Sequence, residues 1–73
     1  MSVAIVDNLI RRYVDYGDWS KVSALKEARP YVEDEEYDRL EDLYLEYSGY
    51  GDWSKSSAIE ELQYTLQLDE GDE

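Results

Sequence analysis

An all-α fold of four short helices, grouped as two similar hairpins, is what the sequence predicts. The hexapeptide Tyr-Gly-Asp-Trp-Ser-Lys occurs twice, at 16–21 and 50–55, an offset of 34 residues. At that offset Leu9 aligns with Leu43, Tyr13 with Tyr47, Ala24 with Ala58, Leu25 with Ile59 and Glu27 with Glu61, so the chain reads as two copies of one unit. Apolar residues on both sides of each hexapeptide recur every three or four positions, the period of a helix with one buried face. A chain of 73 residues is one domain, assigned to 1–68, with hairpins at about 3–31 and 34–68 and a flexible acidic tail at 69–73. The period matches that of tetratricopeptide repeats, but here the tryptophans stand in the connectors and two units are too few for a solenoid. A compact bundle is the simpler expectation.

The first helix is expected over about 3–15, where Val3, Val6, Ile10, Tyr13 and Val14 form the apolar stripe and Leu9 widens it. Gly17 then supplies a residue free to turn left-handed, and Ser20 or Asp18 supplies the N-cap oxygen of the next helix. With Ser20 as the cap, Trp19 packs on Ala24 as a hydrophobic staple, and Trp53, Ser54 and Ala58 repeat the device. The second helix, about 21–29, presents Val22, Ala24, Leu25 and Ala28 and is expected to stop at Pro30. Asp34 is the expected N-cap of the third, about 34–47, with the carboxylates of 33–36 at the positive end of its dipole. Tyr37, Leu40, Leu43, Tyr44 and Tyr47 share its inner side, and Gly49 and Gly51 close it. The fourth, about 55–68, turns Ala58, Ile59, Leu62, Tyr64 and Leu66 inward.

Composition narrows the function classes. Nineteen Asp and Glu oppose seven Lys and Arg, a net charge of -12, so neither nucleic acid nor an anionic membrane surface is the expected direct ligand. His and Cys are both absent, which removes imidazole bases, thiol chemistry, disulfides and zinc sites of the usual kind. No Gly-rich phosphate loop or calcium loop occurs, so no enzyme activity, cofactor or metal is predicted. Hydrophobic residues make up 42% of the chain, more than a disordered acidic segment carries. No apolar run approaches the roughly 20 residues that span a bilayer, and a cytoplasmic protein is expected.

The charge is unevenly placed. Residues 1–31 hold five basic and four acidic side chains, whereas from Val32 onward only Arg39 and Lys55 oppose fifteen carboxylates. On the third helix Glu35, Asp38, Asp42 and Glu46 fall on the side away from the apolar stripe, in a row with steps of roughly 4.5 to 6 Å. That spacing approximates successive phosphates of a nucleic-acid strand. Like charges so placed weaken an isolated helix, so the arrangement calls for a use. The candidate partner surface is therefore Glu35, Asp38, Asp42 and Glu46 with Glu33 and Glu41, and Trp19, Tyr50 and Trp53 are candidate aromatic anchors.

In size, in the carboxylates of 33–46 and 69–73, and in its lack of catalytic chemistry, the chain resembles the small acidic inhibitors that phages and mobile elements encode against restriction or CRISPR enzymes. The resemblance implies a mode of action, competitive occupation of the basic DNA- or RNA-binding surface of a target protein in the host cytoplasm, and assigns no residue roles. Rival readings are a structural or adaptor homodimer and a halophile's acidic domain.

Overall fold

The computed structural model describes residues 2–71, all of it helix and short connection: α1 Ser2–Tyr16, α2 Trp19–Glu33, α3 Asp38–Gly49 and α4 Trp53–Gly71. Helices α1 and α2 form one hairpin and α3 and α4 the other, with α2 and α4 packed together at the centre. The predicted all-α hairpin architecture is what the chain adopts. The backbone of residues 69–71 continues α4, so the expected tail is in part helical, and Asp72 and Glu73 lie outside the described residues.

One continuous core holds the four helices. Val6, Leu9 and Tyr13 come from α1, Val22, Ala24, Leu25, Ala28 and Val32 from α2, Leu40, Leu43 and Tyr47 from α3, and Ala58, Ile59, Leu62 and Leu66 from α4. Full burial of one such Leu or Ile side chain contributes about 1.5 to 3 kcal/mol. Tyr37 and Tyr44 pack half-buried at the edge as expected, whereas Val14 and Tyr64, both expected inside, are exposed. The buried stripe of α4 is set by Ala58, Ile59, Leu62 and Leu66, and Tyr64 lies on the opposite side of the helix.

Both hairpin turns are built alike. Gly17 (φ 76°) and Gly51 (φ 77°) adopt the left-handed conformation. Asp18 N–H donates to the Tyr13 carbonyl at 2.9 Å and Asp52 N–H to that of Tyr47 at 3.0 Å, the long bond of a Schellman ending. The same aspartates then cap the next helices, Asp18 accepting from the Lys21 N–H at 3.4 Å and Asp52 from the Lys55 N–H at 3.2 Å. Aspartate rather than serine is therefore the cap, which makes Trp19 and Trp53 the first helical residues. Both are exposed, so the expected staples on Ala24 and Ala58 do not form.

The connection between the hairpins departs most from expectation. Helix α2 runs through Pro30 to Glu33, because the ring faces solvent and the last turn buries Val32, an apolar gain set against the lost N–H bond to the Lys26 carbonyl. Asp34 is consequently the C-cap of α2, its N–H donating to the carbonyls of Pro30 and Val32, and not the N-cap of α3. Glu35 follows with φ 59°, the position that glycine holds in the other two turns. Helix α3 begins only at Asp38, with no side-chain cap from Tyr37.

Candidate functional site

The contacts joining the hairpins obey an approximate two-fold relation. The Tyr13 hydroxyl of α1 donates to Glu61 of α4, and the Tyr47 hydroxyl of α3 donates to Glu27 of α2. Tyr47 stands 34 positions after Tyr13 and Glu27 stands 34 before Glu61, so the two contacts exchange the roles of the hairpins. Lys21 Nζ stands 4.9 Å from the Tyr13 ring centroid and Lys55 Nζ 5.5 Å from that of Tyr47. The Lys21 end of α2 is thus level with Glu61 and the Lys55 end of α4 level with Glu27, so α2 and α4 run in opposite directions. Ala24 and Ala58, both buried, sit midway between the two contacts, where small side chains let the helices approach closely. Within the hairpins Arg29 Nε bonds Asp7 Oδ1 at 2.8 Å, and the equivalent Gln63 Nε2 bonds Glu41 Oε1 at 3.2 Å.

These contacts set the electrostatics of the centre. Burial first, then the bond to Glu61, pushes the Tyr13 phenol up to about 12. Burial and then Glu27 push Tyr47 up as well. The Arg29 hydrogen bond holds Asp7 below its ordinary value, and Asp7 in return raises Arg29.

Against this shared frame the acidic surface stands out as one-sided. Asp38, Glu41, Asp42 and Glu46 all lie on α3 and are exposed. Asp38, Asp42 and Glu46 follow one another at four-residue steps of about 6 Å along the helix. Glu35 does not join them: with its left-handed backbone it belongs to the connection before α3. Glu33 is the last residue of α2, 4.0 Å from Arg29 Nη1. The predicted row of four is therefore three on α3, with Glu41 beside them and Glu33 and Glu35 at the preceding turn. Leu45, overlooked in the sequence, is 56% exposed within this face, three residues after Asp42 and four after Glu41. Its signal was available, since it falls opposite Leu43 and Tyr47 on a helical wheel.

Among the described residues no base forms an ion pair with the row. The ion pairs among the described residues are Arg12 with Glu61 and Arg29 with Asp7 and Glu33. Arg39, the one base on α3, lies over the Tyr31 ring at 6.0 Å. Asp38 and Glu41 gain from the dipole at the start of α3, but Asp42 and Glu46 lie beyond its reach, and Glu33 and Asp34 stand at the unfavourable end of α2. Helix α1 shows that the hairpin needs none of this acid: where α3 has Asp38, Asp42 and Glu46, α1 has Ala4, Asn8 and Arg12 around the same inward Leu and Tyr.

The candidate aromatic anchors Trp19, Tyr50 and Trp53 stand at the two hairpin turns, all exposed, and Tyr16 at the first turn is exposed as well. An open cleft of about 260 Å³ between α3 and α4 is lined by Tyr37, Leu40, Gln63, Leu66 and Gln67. Among the described residues no group of three or more His, Cys, Asp or Glu is arranged to hold a metal, and no helix is long and apolar enough to cross a membrane. Comparison with family models, with curated proteins and with solved structures returns no match.

Proposed function

We propose that the protein acts by binding rather than by catalysis, its acidic α3 face occupying the basic nucleic-acid-binding surface of a target protein and blocking it. One observation carries this reading. Two hairpins share a core and a set of joining contacts, yet only one bears an exposed, uncompensated carboxylate row, Asp38, Asp42 and Glu46, where the other has Ala4, Asn8 and Arg12. The row therefore answers to something outside the fold. Charges spaced like phosphates would meet the Lys and Arg side chains that ordinarily receive a strand, and the field would speed the encounter. Leu45 adds an apolar contact inside the charged face, where a partner can exclude water. Inhibition of a restriction or CRISPR enzyme is the setting that fits a small binding protein of this kind.

The test is a binding measurement on the partner retained by the immobilised chain. Duplex DNA should displace that partner, affinity should fall steeply with salt, and Asp38→Asn with Asp42→Asn and Glu46→Gln should release it. An affinity indifferent to those substitutions and to competing DNA would refute the proposal.

A further inference from the structure

We propose that the outer face of α4 is a self-association surface, which receives α4 of a second copy of this chain in antiparallel fashion. Helix α4 is the longest of the four, 19 residues, and it is apolar on two sides. Ala58, Ile59, Leu62 and Leu66 enter the core, while Trp53, Tyr64 and Leu68 stand on the other side at 68%, 62% and 55% exposure. With about 100° per residue, Trp53, Ser57, Glu60, Tyr64 and Leu68 fall within about 80° of arc, and all five are exposed. A helix apolar on opposite sides is ordinarily covered on both. The hairpin itself does not require this row, since the equivalent positions at α2 hold Trp19, Ser23, Lys26, Pro30 and, beyond its end, Asp34.

The spacing of the row identifies the occupant. From Trp53 to Ser57, Tyr64 and Leu68 the steps are four, seven and four residues, symmetric about the midpoint of Glu60 and Glu61. Laid antiparallel on a second copy, Tyr64 meets Ser57 of that copy and Trp53 meets its Leu68, each contact made twice across a two-fold axis. The Tyr64 ring thereby falls over the smallest side chain of the row, as the packing of ridges into grooves needs. At the midpoint Glu60 meets position 61 of the copy, where Glu61 is drawn aside by Arg12 at 3.0 Å and by the Tyr13 hydroxyl. The row carries one carboxylate, Glu60, over roughly 22 Å of helix, too little charge to select the basic partner assigned to α3. Two helices of this length in contact bury on the order of 1,000 Å², the lower end for a specific association.

Sedimentation velocity of the full chain over a range of concentrations is the readout, with circular dichroism reporting the fold. The wild type should pass from monomer to dimer as concentration rises. Tyr64→Ser and Ser57→Tyr should each raise the dimer dissociation constant by at least about tenfold, because every substitution enters the contact twice. Combining them in one chain exchanges large for small at both places and should restore the dimer. Added salt should strengthen the dimer by screening two chains of charge -12, the opposite of the response expected of the α3 partner. A chain that stays monomeric up to about 1 mM overturns the proposal, as does a dimer that ignores both single substitutions. A double variant no tighter than the single ones refutes the antiparallel pairing. Neutralising Asp38, Asp42 and Glu46 should leave the dimer intact, so the α4 contact and the acidic-face reading fail separately.

Discussion

Replacing Tyr13 and Tyr47 by Phe keeps two buried rings and removes the two hydroxyls that join the hairpins. At neutral pH the double variant should lose about 1.5 kcal/mol per bond, the lower end for a hydrogen bond to a carboxylate, since that carboxylate can rehydrate when its partner is gone. Alkaline pH should then erase the difference. Tyr13 is raised from 10.0 to about 12, so the fold favours the neutral phenol. Its stabilising share is complete below about pH 10 and is lost as pH climbs from about 10 to about 12. Two units correspond to roughly 3 kcal/mol, of which about half has gone by about pH 11. Tyr47, shifted in the same direction, adds a loss of the same sign. Urea unfolding followed by circular dichroism at a series of pH values would measure both proteins. The advantage of the wild type over the double Phe variant should shrink to nothing near pH 11. A difference that stays constant from neutral pH to about pH 11 would refute the assignment of these hydroxyls to the joining contacts.

Further outcomes concern the connections and the acidic face. Glu35→Gly should stabilise the fold by about 0.5 to 1 kcal/mol, since a left-handed residue with a Cβ costs about 1 to 2 kcal/mol and glycine returns part of the gain as entropy; an unchanged melting midpoint would count against strain at that turn. Pro30→Ala should raise stability by at least about 1 kcal/mol, because it restores a donor to the Lys26 carbonyl at a solvent-facing position, and a differential scanning measurement would show it. Asp18→Ala and Asp52→Ala should each cost about 1 kcal/mol in chemical denaturation, and by similar amounts, as equivalent caps. Asp42→Asn with Glu46→Gln should leave stability unchanged or raise it by a few tenths of a kcal/mol while weakening the partner. A lower melting temperature would give the row a structural role.

Much of the architecture was legible because it is written locally. Helical periodicity placed Leu9, Leu25, Leu43 and Leu62 inside, and the repeated Gly-Asp marked the turns that Gly17 and Gly51 make. The acidic face was legible in part. Asp38, Asp42 and Glu46 share a face because they share a helix, but Glu35 left the row once α3 began at Asp38 and the chain turned left-handed before it. Leu45 falls opposite Leu43 and Tyr47 on the same wheel, so its exposure follows from periodicity alone.

By itself the sequence determined the helical class, the two-hairpin plan, the inward positions and the concentration of carboxylates after Val32, all of them functions of spacing along the chain. Tertiary structure decided the rest. Pro30 stays within α2 because Val32 has a core to enter. Tyr64 faces solvent because the stripe of α4 that docks is Ala58, Ile59, Leu62 and Leu66. Tyr13 finds Glu61, and Tyr47 finds Glu27, across 48 and 20 residues of sequence, because α2 and α4 pack in opposite directions. Contacts at such separations depend on how helices dock, and no local pattern encodes the docking before the core has formed.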